Sequence, residues 1–436
     1  MQDRKYVIKS LNSSENDRIE FMSSNMSNNG VYKFNEGLKK KDNIEELEKL
    51  KKKYLNYRVN WREQPKKIIN RKNLAKKNFI PLCIDIEVAA VCDLACPHCY
   101  RQFIATPDKI MSSELVYKII DQASELGVPS IKFNWRGEPL LHPELHKHIH
   151  YAKKKGILET IINTNATMLD EKYSLRLIDS GLDILIYSFD GGTKKTYEKM
   201  RPGRFKVNKF EDIYENINNF NKIKKLKNSV FPRTKIQMVL TDETHNEISE
   251  FKRLFKDVVD DVSLKQYTER GGAFDDLGQE LQDKITKKNI DQTDLKKYIF
   301  MRDVDGEIYK SKKRLPCEQP FQRMLITYDG KVSMCCYDWG SMHPIGYVSE
   351  LSFVNETRDL EEVMKKSKAQ KKGFEMMNLS MPQKFNCPEK KVESIKEIWF
   401  GKEINKVRNA HIKNKIETVK ICKKCPFKET YDWQKV

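Results

Sequence analysis

The sequence predicts an α/β fold built on a parallel sheet or barrel, with an N-terminal extension and a cysteine-bearing C-terminal region. Between about residues 79 and 270, short apolar runs with strand character alternate with amphipathic helical segments, as they do in βα units. A length of 436 residues suits one large α/β domain with appendages. The ten cysteines include two clusters, one early in the core and one near the C-terminus.

Six strands can be assigned in chain order, together with the helices between them. The strands are predicted at 82–88, 130–135, 159–163, 184–189, 235–240 and 262–267. The helices are predicted at 112–126, 143–155, 171–180, 210–225 and 246–255. Because barrel enzymes place their sites at the carboxyl ends of the strands, polar residues that directly follow a strand are the first candidates.

The segments on either side of this core differ from it in composition. Residues 1–36 are polar and rich in Ser and Asn, which predicts a flexible lead-in. Residues 37–77 are strongly basic, and apolar residues from Ile44 to Leu55 have near-helical spacing. We expect a basic amphipathic helix there that packs on the barrel or holds a partner. The expected domains are an extension over 1–77, a core over 78–272, a charged linker over 273–314 and a cysteine-bearing domain over 315–436.

The composition indicates a globular chain with a basic surface. Hydrophobic residues make up 39% of the chain, charged residues make up 33%, and the formal net charge is +19. Such a surface suits nucleic acid, anionic lipid, an acidic peptide or a phosphorylated sugar, although lysines spread over solvated faces are the simpler explanation. No signal-peptide core and no run of transmembrane length occurs, so we expect a cytoplasmic chain with no membrane association. Clustered cysteines in such a chain point to metal binding.

Three cysteines follow the first predicted strand. Cys92, Cys96 and Cys99 have the spacing C-x3-C-x2-C. Three thiolates are an incomplete set for tetrahedral zinc and for a cubane ligated only by protein. A [4Fe-4S] cluster held by three cysteines keeps one iron open for a small molecule. A structural zinc knuckle and three buried thiols are the alternatives.

This spacing resembles the signature of the radical S-adenosylmethionine (SAM) superfamily. The resemblance implies a partial (β/α)6 TIM-like barrel and a [4Fe-4S] cluster whose open iron is chelated by the amino and carboxylate groups of SAM. It also implies that one electron cleaves SAM to methionine and a 5′-deoxyadenosyl radical, which removes a hydrogen atom from the substrate. The electron donor is expected to be a carrier such as flavodoxin or ferredoxin.

The ends of later strands extend the resemblance. The second strand ends in N-W-R-G-E-P, which is similar to the family's G-G-E-P motif with Arg136 where the first glycine is usual. The third ends in T-N-A, close to T-N-G, with Ala166 in place of glycine, and the fourth ends in S-F-D-G, close to S-[IL]-D-G. Each motif alone is an ordinary turn or helix start, so their order and spacing carry the prediction. The resemblance implies cofactor contacts from Tyr100, Gly137, Glu138, Pro139, Asn165, Ser188, Asp190, Arg201 and Gln237.

The C-terminal region carries four more spaced cysteines. Cys317 and Cys335 flank a predicted hairpin with an Asp-Gly turn over 326–332, and C-K-K-C supplies Cys422 and Cys425. Four thiolates complete a closed cubane, so one auxiliary [4Fe-4S] cluster is the expected occupant and a four-cysteine zinc site is the alternative. The pattern resembles the SPASM/twitch extension of radical SAM enzymes. Two further cysteines of the full SPASM pattern are missing, which favours one auxiliary cluster over two.

The remaining cysteines and the histidines receive other interpretations. Cys83 lies inside a strand and is expected in the core, and Cys336 is expected to be a neighbour of the ligands. Cys387 is a spare thiol, a ligand or a hydrogen donor. Four histidines between His142 and His150 crowd the second helix without the glutamate of an H-E-x-x-H motif, which predicts a solvated helix face.

Three functions remain open at this stage. A radical SAM oxidoreductase or maturase-type enzyme acting on a small polar or carbohydrate-like molecule is favoured, because residues 1–77 show no winged-helix peptide-binding domain. The basic N-terminal segment favours a peptide or protein maturase instead. A non-catalytic metal-binding protein that holds RNA is the alternative of another class. Aromatic residues are not interleaved with the basic runs, so we do not expect nucleic acid as a partner.

Overall fold

A nine-stranded sheet forms the centre of the fold. The structure is a computed structural model that describes residues 15–25, 40–71, 79–267, 298–302, 307–353, 361–365, 384–423, 425 and 427–436. Strands 1 to 6 of the chain lie side by side in sequential order and pair in parallel. The predicted α/β class with a partial parallel barrel is therefore confirmed.

The strands and helices are as follows. The strands are β1 Cys83–Ile86, β2 Ser130–Lys132, β3 Glu159–Thr164, β4 Ile184–Ser188, β5 Arg233–Leu240, β6 Asp261–Gln266, β7 Phe300–Arg302, β8 Ile308–Arg314, β9 Arg323–Ile326, β10 Lys331–Ser333, β11 Pro344–Tyr347 and β12 Tyr431–Lys435. The helices are α1 Glu15–Ser24, α2 Lys40–Arg71, α3 Ser113–Leu126, α4 Leu145–Lys154, α5 Glu171–Asp179, α6 Lys194–Met200, α7 Phe210–Leu226, α8 Ile248–Phe255, α9 Ile395–Phe400, α10 Lys402–Ile412 and α11 Lys420–Lys423.

All six predicted core strands and all five predicted core helices are present, with ends shifted by one or two residues in most cases. Helix starts follow from capping side chains: Ser112, Asp170 and Thr193 each accept a hydrogen bond from a backbone N–H of the first turn. Sequence reasoning missed the short helix α6, whose seven residues fall below the length at which hydrophobic periodicity is informative.

The C-terminal hairpin is part of the central sheet. Strand β9 pairs in parallel with β1, and β10 returns antiparallel to β9 through the predicted Asp-Gly turn. Gly330 has φ +92°, and a Cβ there would come within 2.6 Å of the Ser349 Cβ, so the turn requires glycine. Because β9 joins the edge of the barrel beside β1, the hairpin brings the C-terminal cysteines towards the loop that follows β1.

The expected linker over 273–314 is wrong at its C-terminal end. Strands β7 and β8 lie there and form a separate three-stranded antiparallel sheet with the C-terminal strand β12. Most of the remaining linker lies outside the described residues. In β8, Tyr309 and Ser311 are buried, whereas the charged side chains between and after them are half-buried or exposed, an ordinary pattern for a strand with one solvated face.

The N-terminal extension covers the amino ends of the barrel strands. Met22 of α1 and Leu50 and Tyr54 of α2 are buried in one cluster with residues that lie at or just before the starts of strands, Leu82, Leu158, Ile184 and Phe231. The expected flexible lead-in is therefore wrong at Glu15–Ser24, whereas residues 1–14 and 26–36 lie outside the described part of the chain. The expected helix over the basic segment is confirmed as α2, and it packs on the barrel. Its apolar stripe is imperfect, because Ile44 and Leu55 remain exposed.

Helix α2 also reaches the C-terminal region. Gln64 donates hydrogen bonds to the carbonyl oxygens of Ile80 and Phe321, at 2.9 and 2.7 Å. Ile69, near the end of α2, packs with Phe321 and Ile412. One helix therefore contacts both the start of the barrel and the cysteine-bearing region.

The barrel and the C-terminal region share one hydrophobic core. Trp399 of α9 is fully buried, and its indole N–H donates to the Phe79 carbonyl at 2.9 Å. Arg408 of α10 is also buried and stacks on the rings of Trp399 and Phe79. The Arg408 guanidinium donates to the carbonyl oxygens of Pro320 and Trp399, so burial of the charge is compensated by hydrogen bonds.

Candidate functional site

The loop that carries the first three cysteines is held against neighbouring loops at the carboxyl end of the sheet. Backbone bonds join Ala95 N–H to the Pro202 carbonyl at 2.9 Å and Arg204 N–H to the Asp93 carbonyl at 2.7 Å. Cys96 is buried, whereas Cys92 and Cys99 are half-buried. The cysteine loop is therefore a fixed element, and its thiols face the interior without being closed off from solvent.

The three thiols lie close enough to influence one another's ionisation. Burial raises the pKa of Cys96, the charges of Cys99 and Cys92 raise it further, and Arg201 opposes both effects. Burial also raises the pKa of Cys92 to about 12, against the charge of Arg101. Thiols of this kind are protonated by themselves and become good ligands only beside a strongly positive centre, which an iron cluster supplies. The donor set therefore fits a bound cluster.

Glu138 ties the second strand end to the third. Its backbone N–H donates to the Val91 carbonyl at 2.9 Å, and its carboxylate accepts from the Thr164 hydroxyl and the Asn165 N–H, both at 2.7 Å. Burial raises the pKa of Glu138 to about 8, and the charge of Asp93 acts in the same direction. A Cβ on the preceding Gly137 would come within 2.3 Å of two backbone oxygens, so only glycine permits this contact.

Asp93, inside the cysteine loop, makes the corresponding contact with the third strand end. Its carboxylate accepts from Asn165 Nδ2 at 2.8 Å and from the Thr167 hydroxyl at 2.6 Å. Asn165 Oδ1 in turn accepts from the Thr167 N–H at 3.0 Å. The side chain of Asn165, an expected cofactor contact, is thus engaged with the cysteine loop.

Asp190, just after the fourth strand, contacts groups from several parts of the site. Its buried carboxylate accepts from Arg201 Nε and Nη2 at 2.9 and 2.8 Å, and from the Val239 N–H at 2.7 Å. His98 Nε2 lies 3.2 Å from the same carboxylate. Burial alone would raise the pKa of Asp190, but the Arg201 charge and the His98 contact hold it below its usual range. Arg201, an expected cofactor contact, therefore has a carboxylate partner within the chain.

The remaining expected contacts occupy the same face. Ser188 and Gln237 sit opposite each other on β4 and β5, with Gln237 Nε2 3.4 Å from the Ser188 hydroxyl. Pro139 is buried in the short turn after Glu138, and Tyr100 is buried next to Cys99. The ring of Tyr100 meets Trp339 of the C-terminal region edge to face at 6.1 Å. The structure therefore brings the nine expected residues to the face that carries the cysteine loop, with Gln237 placed there by its pairing with the last residue of β4.

Two observations bear on what the site can hold. His98 Nδ1 is buried with no hydrogen-bond partner, which leaves a polar atom ready for a bound group. Within the described residues, no three His, Cys, Asp or Glu side chains converge on a point that could hold one metal ion.

The four C-terminal cysteines also lie together. Burial raises the pKa of Cys335, with further contributions from Cys336, Cys422 and Cys425, and burial raises that of Cys317, with Cys425 adding to it. Their backbone is anchored as well, since Arg314 donates to the carbonyl oxygens of Cys425 and Cys422 at 2.9 and 3.2 Å. These four buried or half-buried thiols fit a second cluster.

Thr430 and Tyr431 stand where a longer cysteine pattern would continue. Thr430 accepts a hydrogen bond from Arg314, and the Tyr431 hydroxyl donates to the Cys425 carbonyl at 2.8 Å. The Arg314 guanidinium also stacks over the Tyr431 ring at 4.4 Å. These residues brace the C-K-K-C segment from the C-terminal strand.

Of the other predictions, the one for Cys83 is confirmed and the one for the histidines is wrong in part. Cys83 is buried in β1, as expected, and Cys387 is exposed. The expected solvated histidine face is wrong for His142 and His148, which are buried against α3, where His148 Nε2 lies 2.9 Å from the Ser113 hydroxyl. Helical spacing alone does not tell which side of α4 faces the barrel.

Sequence reasoning missed a bridge between the two regions. Arg136 pairs bidentately with the fully buried Glu87, at 2.6 and 2.8 Å, and donates to the Trp339 carbonyl at 3.2 Å. The neighbouring Trp135 donates its indole N–H to the Cys336 carbonyl at 3.0 Å. The signal was present in the sequence, because an arginine in place of a glycine needs a carboxylate when it is buried.

Comparison with protein-family models gives two matches. The model described as "Radical SAM superfamily" matches residues 86–255, and the model described as "Iron-sulfur cluster-binding domain" (SPASM) matches residues 317–390. The first match includes Cys92, Cys96 and Cys99. The second includes Cys317 and Cys335 but ends before Cys422 and Cys425.

Similar proteins share the early part of the core. A Methanococcus maripaludis protein named probable GTP 3′,8-cyclase is 34% identical over 119 residues, which is 27% of this chain and 39% of that relative. A Pyrococcus furiosus protein, a tungsten-containing aldehyde ferredoxin oxidoreductase cofactor-modifying protein, is 31% identical over 108 residues, 24% of this chain and 30% of that relative. The matches thus span less than half of either relative.

Solved structures of radical SAM proteins are similar to the chain at low scores. BtrN in complex with AdoMet and 2-DOIA has a TM-score of 0.42 at 15% identity, covering 82% of this chain and 99% of BtrN. Streptococcus suis SuiB bound to the precursor peptide SuiA has a TM-score of 0.43 at 17% identity, covering 68% and 66%. Scores of this size support no argument about substrate.

The cysteine spacing, the strand-end network and the two family matches agree. Chains with these two domains use SAM and [4Fe-4S] clusters. The chain is therefore an enzyme that contains a radical SAM domain over residues 86–255, followed by a SPASM iron–sulfur domain over residues 317–390.

Proposed function

We propose that the chain reductively cleaves SAM and uses the resulting 5′-deoxyadenosyl radical to abstract a hydrogen atom from a substrate, which it then oxidises or otherwise modifies. The observation that carries this proposal is the joining of the three-cysteine loop to the second and third strand ends through Glu138, Asp93 and Asn165. A cofactor chelated at this loop would lie within reach of polar groups from several strands, as the chemistry requires.

The chain's own residues would bind and orient the cofactors. Cys92, Cys96 and Cys99 would hold the SAM-binding [4Fe-4S] cluster. Asp190, fixed by Arg201, would keep His98 beside the bound SAM, and Ser188 with Gln237 would face its ribose side. The buried rings of Tyr100, Trp135 and Trp339 would exclude water from one side of the site.

The second set of cysteines would hold one auxiliary [4Fe-4S] cluster. Cys317, Cys335, Cys422 and Cys425 leave no ligand position open, so this cluster suits electron transfer rather than SAM binding. It would accept an electron from the substrate radical, which makes the net reaction an oxidation.

We favour a small polar or carbohydrate-like substrate. The described helices of the N-terminal extension pack at the amino ends of the strands, away from the face that carries the cysteine loops. They therefore do not form a peptide-binding platform beside the site.

We further propose a cytoplasmic location. Among the described residues, no helix combines the length and the apolar character needed to cross a bilayer.

A peptide or protein maturase is the second candidate. The net charge of +19 favours it, because an acidic leader peptide would be attracted to such a surface. The genomic neighbourhood separates the two candidates: a short precursor-peptide gene supports the maturase, whereas genes for sugar-nucleotide enzymes support the small substrate.

The first experiment counts iron and sulfide after anaerobic purification and reconstitution. Wild type should contain about eight irons, and a Cys92/Cys96/Cys99→Ala variant about four, if two cubanes are present. With SAM and dithionite, only wild type should form 5′-deoxyadenosine. If the protein contains zinc in place of iron, or a full iron complement without SAM cleavage, the proposed enzymatic function is refuted. Salt-dependent RNA binding unaffected by SAM would then support the RNA-holding alternative.

A matched pair of variants tests the auxiliary ligands. Cys335→Ser should lower the iron content by up to four while 5′-deoxyadenosine is still formed. Cys336→Ser should leave both unchanged, because the Cys336 carbonyl, not its thiol, makes the main contact, with Trp135. Equal iron loss in the two variants would contradict this ligand set.

A further inference from the structure

A tight, exposed loop follows Arg201 and lies beside the cysteine loop. A Cβ on Gly203 would come within 1.6 Å of the Lys206 carbonyl, so the turn closes more tightly than any other residue allows. The buried side chain of Asn208 closes the base of the loop, donating to the Arg201 carbonyl at 2.9 Å and lying 3.1 Å from the Tyr197 hydroxyl. We call residues 203–207 the tight loop.

The tip of the tight loop presents apolar side chains to solvent. Phe205 is 63% exposed and Val207 is 76% exposed, although both belong to a loop whose base is fixed. The Phe205 ring is covered only in part by the Arg204 guanidinium, at 4.8 Å. A fixed loop that displays a phenylalanine and a valine is the kind of apolar feature that marks a contact with another protein.

The tight loop is joined directly to the ligands of the first cluster. Arg204 N–H donates to the Asp93 carbonyl at 2.7 Å, and Arg204 Nη1 lies 3.4 Å from the Cys92 carbonyl. The preceding residue Gly203 forms a β-bridge with Leu94. Arg204 therefore connects the tip directly to Cys92, which we assign to the SAM-binding cluster. A protein bound at the tip would lie close to that cluster.

The charges around the tip are mainly positive. Arg101 and Arg204 both pair with Asp108, at 3.3 and 2.7 Å, and the exposed Lys206 and Lys209 lie at the tip and just beyond it. These four cations and one carboxylate give a formal charge of +3. An apolar centre with a basic surround complements an acidic protein surface with an apolar centre of its own.

We propose that the tight loop is the docking site of the electron donor, a small acidic one-electron carrier protein. This inference rests on the proposed function, because SAM cleavage consumes one electron per event and the chain must receive it from outside. One electron leaves the reduced carrier, which is oxidised, and enters the cluster, which is reduced, and no atom is transferred. The carrier docks on Phe205 and Val207, its acidic rim faces Lys206 and Lys209, and the path to Cys92 passes through Arg204.

The test uses the anaerobically reconstituted full chain with a flavodoxin as the probe. The variant is Phe205→Asp with Lys206→Glu. The control is Lys225→Glu with Leu226→Asp, the same change at a basic–apolar pair that is also exposed, at the C-terminal end of α7, which leads to the amino end of β5. Binding of oxidised flavodoxin is measured by calorimetry. Cluster reduction is followed by its visible absorbance, with either flavodoxin hydroquinone or dithionite as reductant.

We expect the Phe205/Lys206 variant to weaken flavodoxin binding and slow flavodoxin-driven reduction at least tenfold at low salt, while dithionite reduces it at the wild-type rate. The control pair should match wild type with both reductants. The Lys206→Glu change alone should lose its effect in about 1 M salt, where the Debye length is about 3 Å.

Equal flavodoxin binding by the variant and wild type would overturn the docking site. So would normal flavodoxin-driven reduction combined with slower dithionite-driven substrate turnover, which would assign the loop to an acidic substrate. If wild type itself forms no 5′-deoxyadenosine with dithionite, the proposed function fails. That outcome is distinguishable, because the flavodoxin-binding comparison does not depend on SAM cleavage.

Discussion

At the scale of single residues, Ala166 occupies a position that favours glycine. Its φ is +63°, in the left-handed region, where a Cβ costs about 1–2 kcal/mol. Its N–H donates to the Thr164 hydroxyl and its carbonyl accepts from Asn216, so these bonds hold the backbone in this conformation. The strand-end network at Glu138 and Asn165 therefore keeps a strained residue in place.

We predict that Ala166→Gly increases the free energy of unfolding by about 0.5–1 kcal/mol, since it relieves this strain but adds freedom to the unfolded chain. The control is Ala152→Gly in the last turn of α4, which should lower stability by about 1 kcal/mol. Chemical denaturation of the reconstituted protein measures both. Destabilisation by both changes would contradict the strain at Ala166.

His148 makes stability depend on pH. Burial lowers its pKa to about 3, with His142 contributing, whereas the unfolded chain has an ordinary histidine pKa of about 6.5. The folded state thus keeps His148 neutral, and the stability it contributes is present above pH 6.5 and is lost as pH falls towards 3. Between pH 7.5 and 5.5 the loss should be about 1 kcal/mol.

Replacing His148 by Gln should remove about this part of the pH dependence, because the variant no longer takes up a proton on unfolding. His150→Gln, on the same helix but half-buried, should remove less. The free energies of unfolding at pH 7.5 and pH 5.5 are measured for each variant. Equal pH dependence in wild type and His148→Gln would show that His148 is not its source.

At the scale of elements, α1 and α2 stabilise a buried charge at the amino end of β3. The Glu159 carboxylate has no solvent exposure and contacts Arg18 Nη2 at 2.6 Å, with the hydroxyls of Tyr54 and Tyr57 both at 3.1 Å. Burial alone would raise the pKa of Glu159, but Arg18 and Arg58 hold it below its usual value. The N-terminal extension thus supplies the counter-charges that the barrel lacks at this position.

We predict that Arg18→Met lowers the free energy of unfolding by about 2–3 kcal/mol, because it leaves a buried carboxylate with fewer partners. Arg18→Lys should lose less, since it keeps the charge. Adding Glu159→Gln to Arg18→Met should recover part of the loss, because the amide needs no cation. Denaturation of all three variants measures this, and additive losses would argue against a direct pairing.

At the scale of the whole molecule, Arg136 links the SAM domain to the SPASM domain. Its guanidinium pairs with Glu87 of the barrel and contacts the carbonyl of Trp339, while the Glu87 carboxylate also accepts from the Tyr328 N–H at 3.2 Å. The two regions therefore share one buried ion pair close to both sets of cysteines. Restoring the glycine that is usual in the motif would remove the link.

We predict that Arg136→Gly destabilises the protein by about 3–5 kcal/mol, because Glu87 would be left buried without its counter-charge. Arg136→Gly with Glu87→Gln should recover part of this. The second readout is the auxiliary cluster: Arg136→Gly should lose auxiliary iron more readily on dilution than the double variant. If Arg136→Gly is as stable as wild type and retains its iron equally well, the link is dispensable.

The class of the fold could be predicted from the sequence, and so could the residues that meet at the carboxyl ends of the strands. Alternating apolar runs placed β1 to β6 within a few residues. The resemblance to radical SAM motifs predicts Glu138, Asn165, Ser188 and Asp190 as cofactor contacts, and parallel strands bring these residues to one face. The spacing of Cys92, Cys96 and Cys99 is local, so it could be read without knowing the fold. Groups that are close in the sequence can be recognised as one site from their spacing alone.

Which distant groups meet could not be predicted, because it depends on tertiary packing. That β9 pairs with β1, that β8 pairs with β12, and that Arg18 meets Glu159 across 141 positions depend on packing of the whole chain. The buried partners of Arg136 and Arg201 were likewise not evident, since a sequence gives the charge of a side chain but not its burial. Burial is a property of the assembled core, and it determines which charges must be paired.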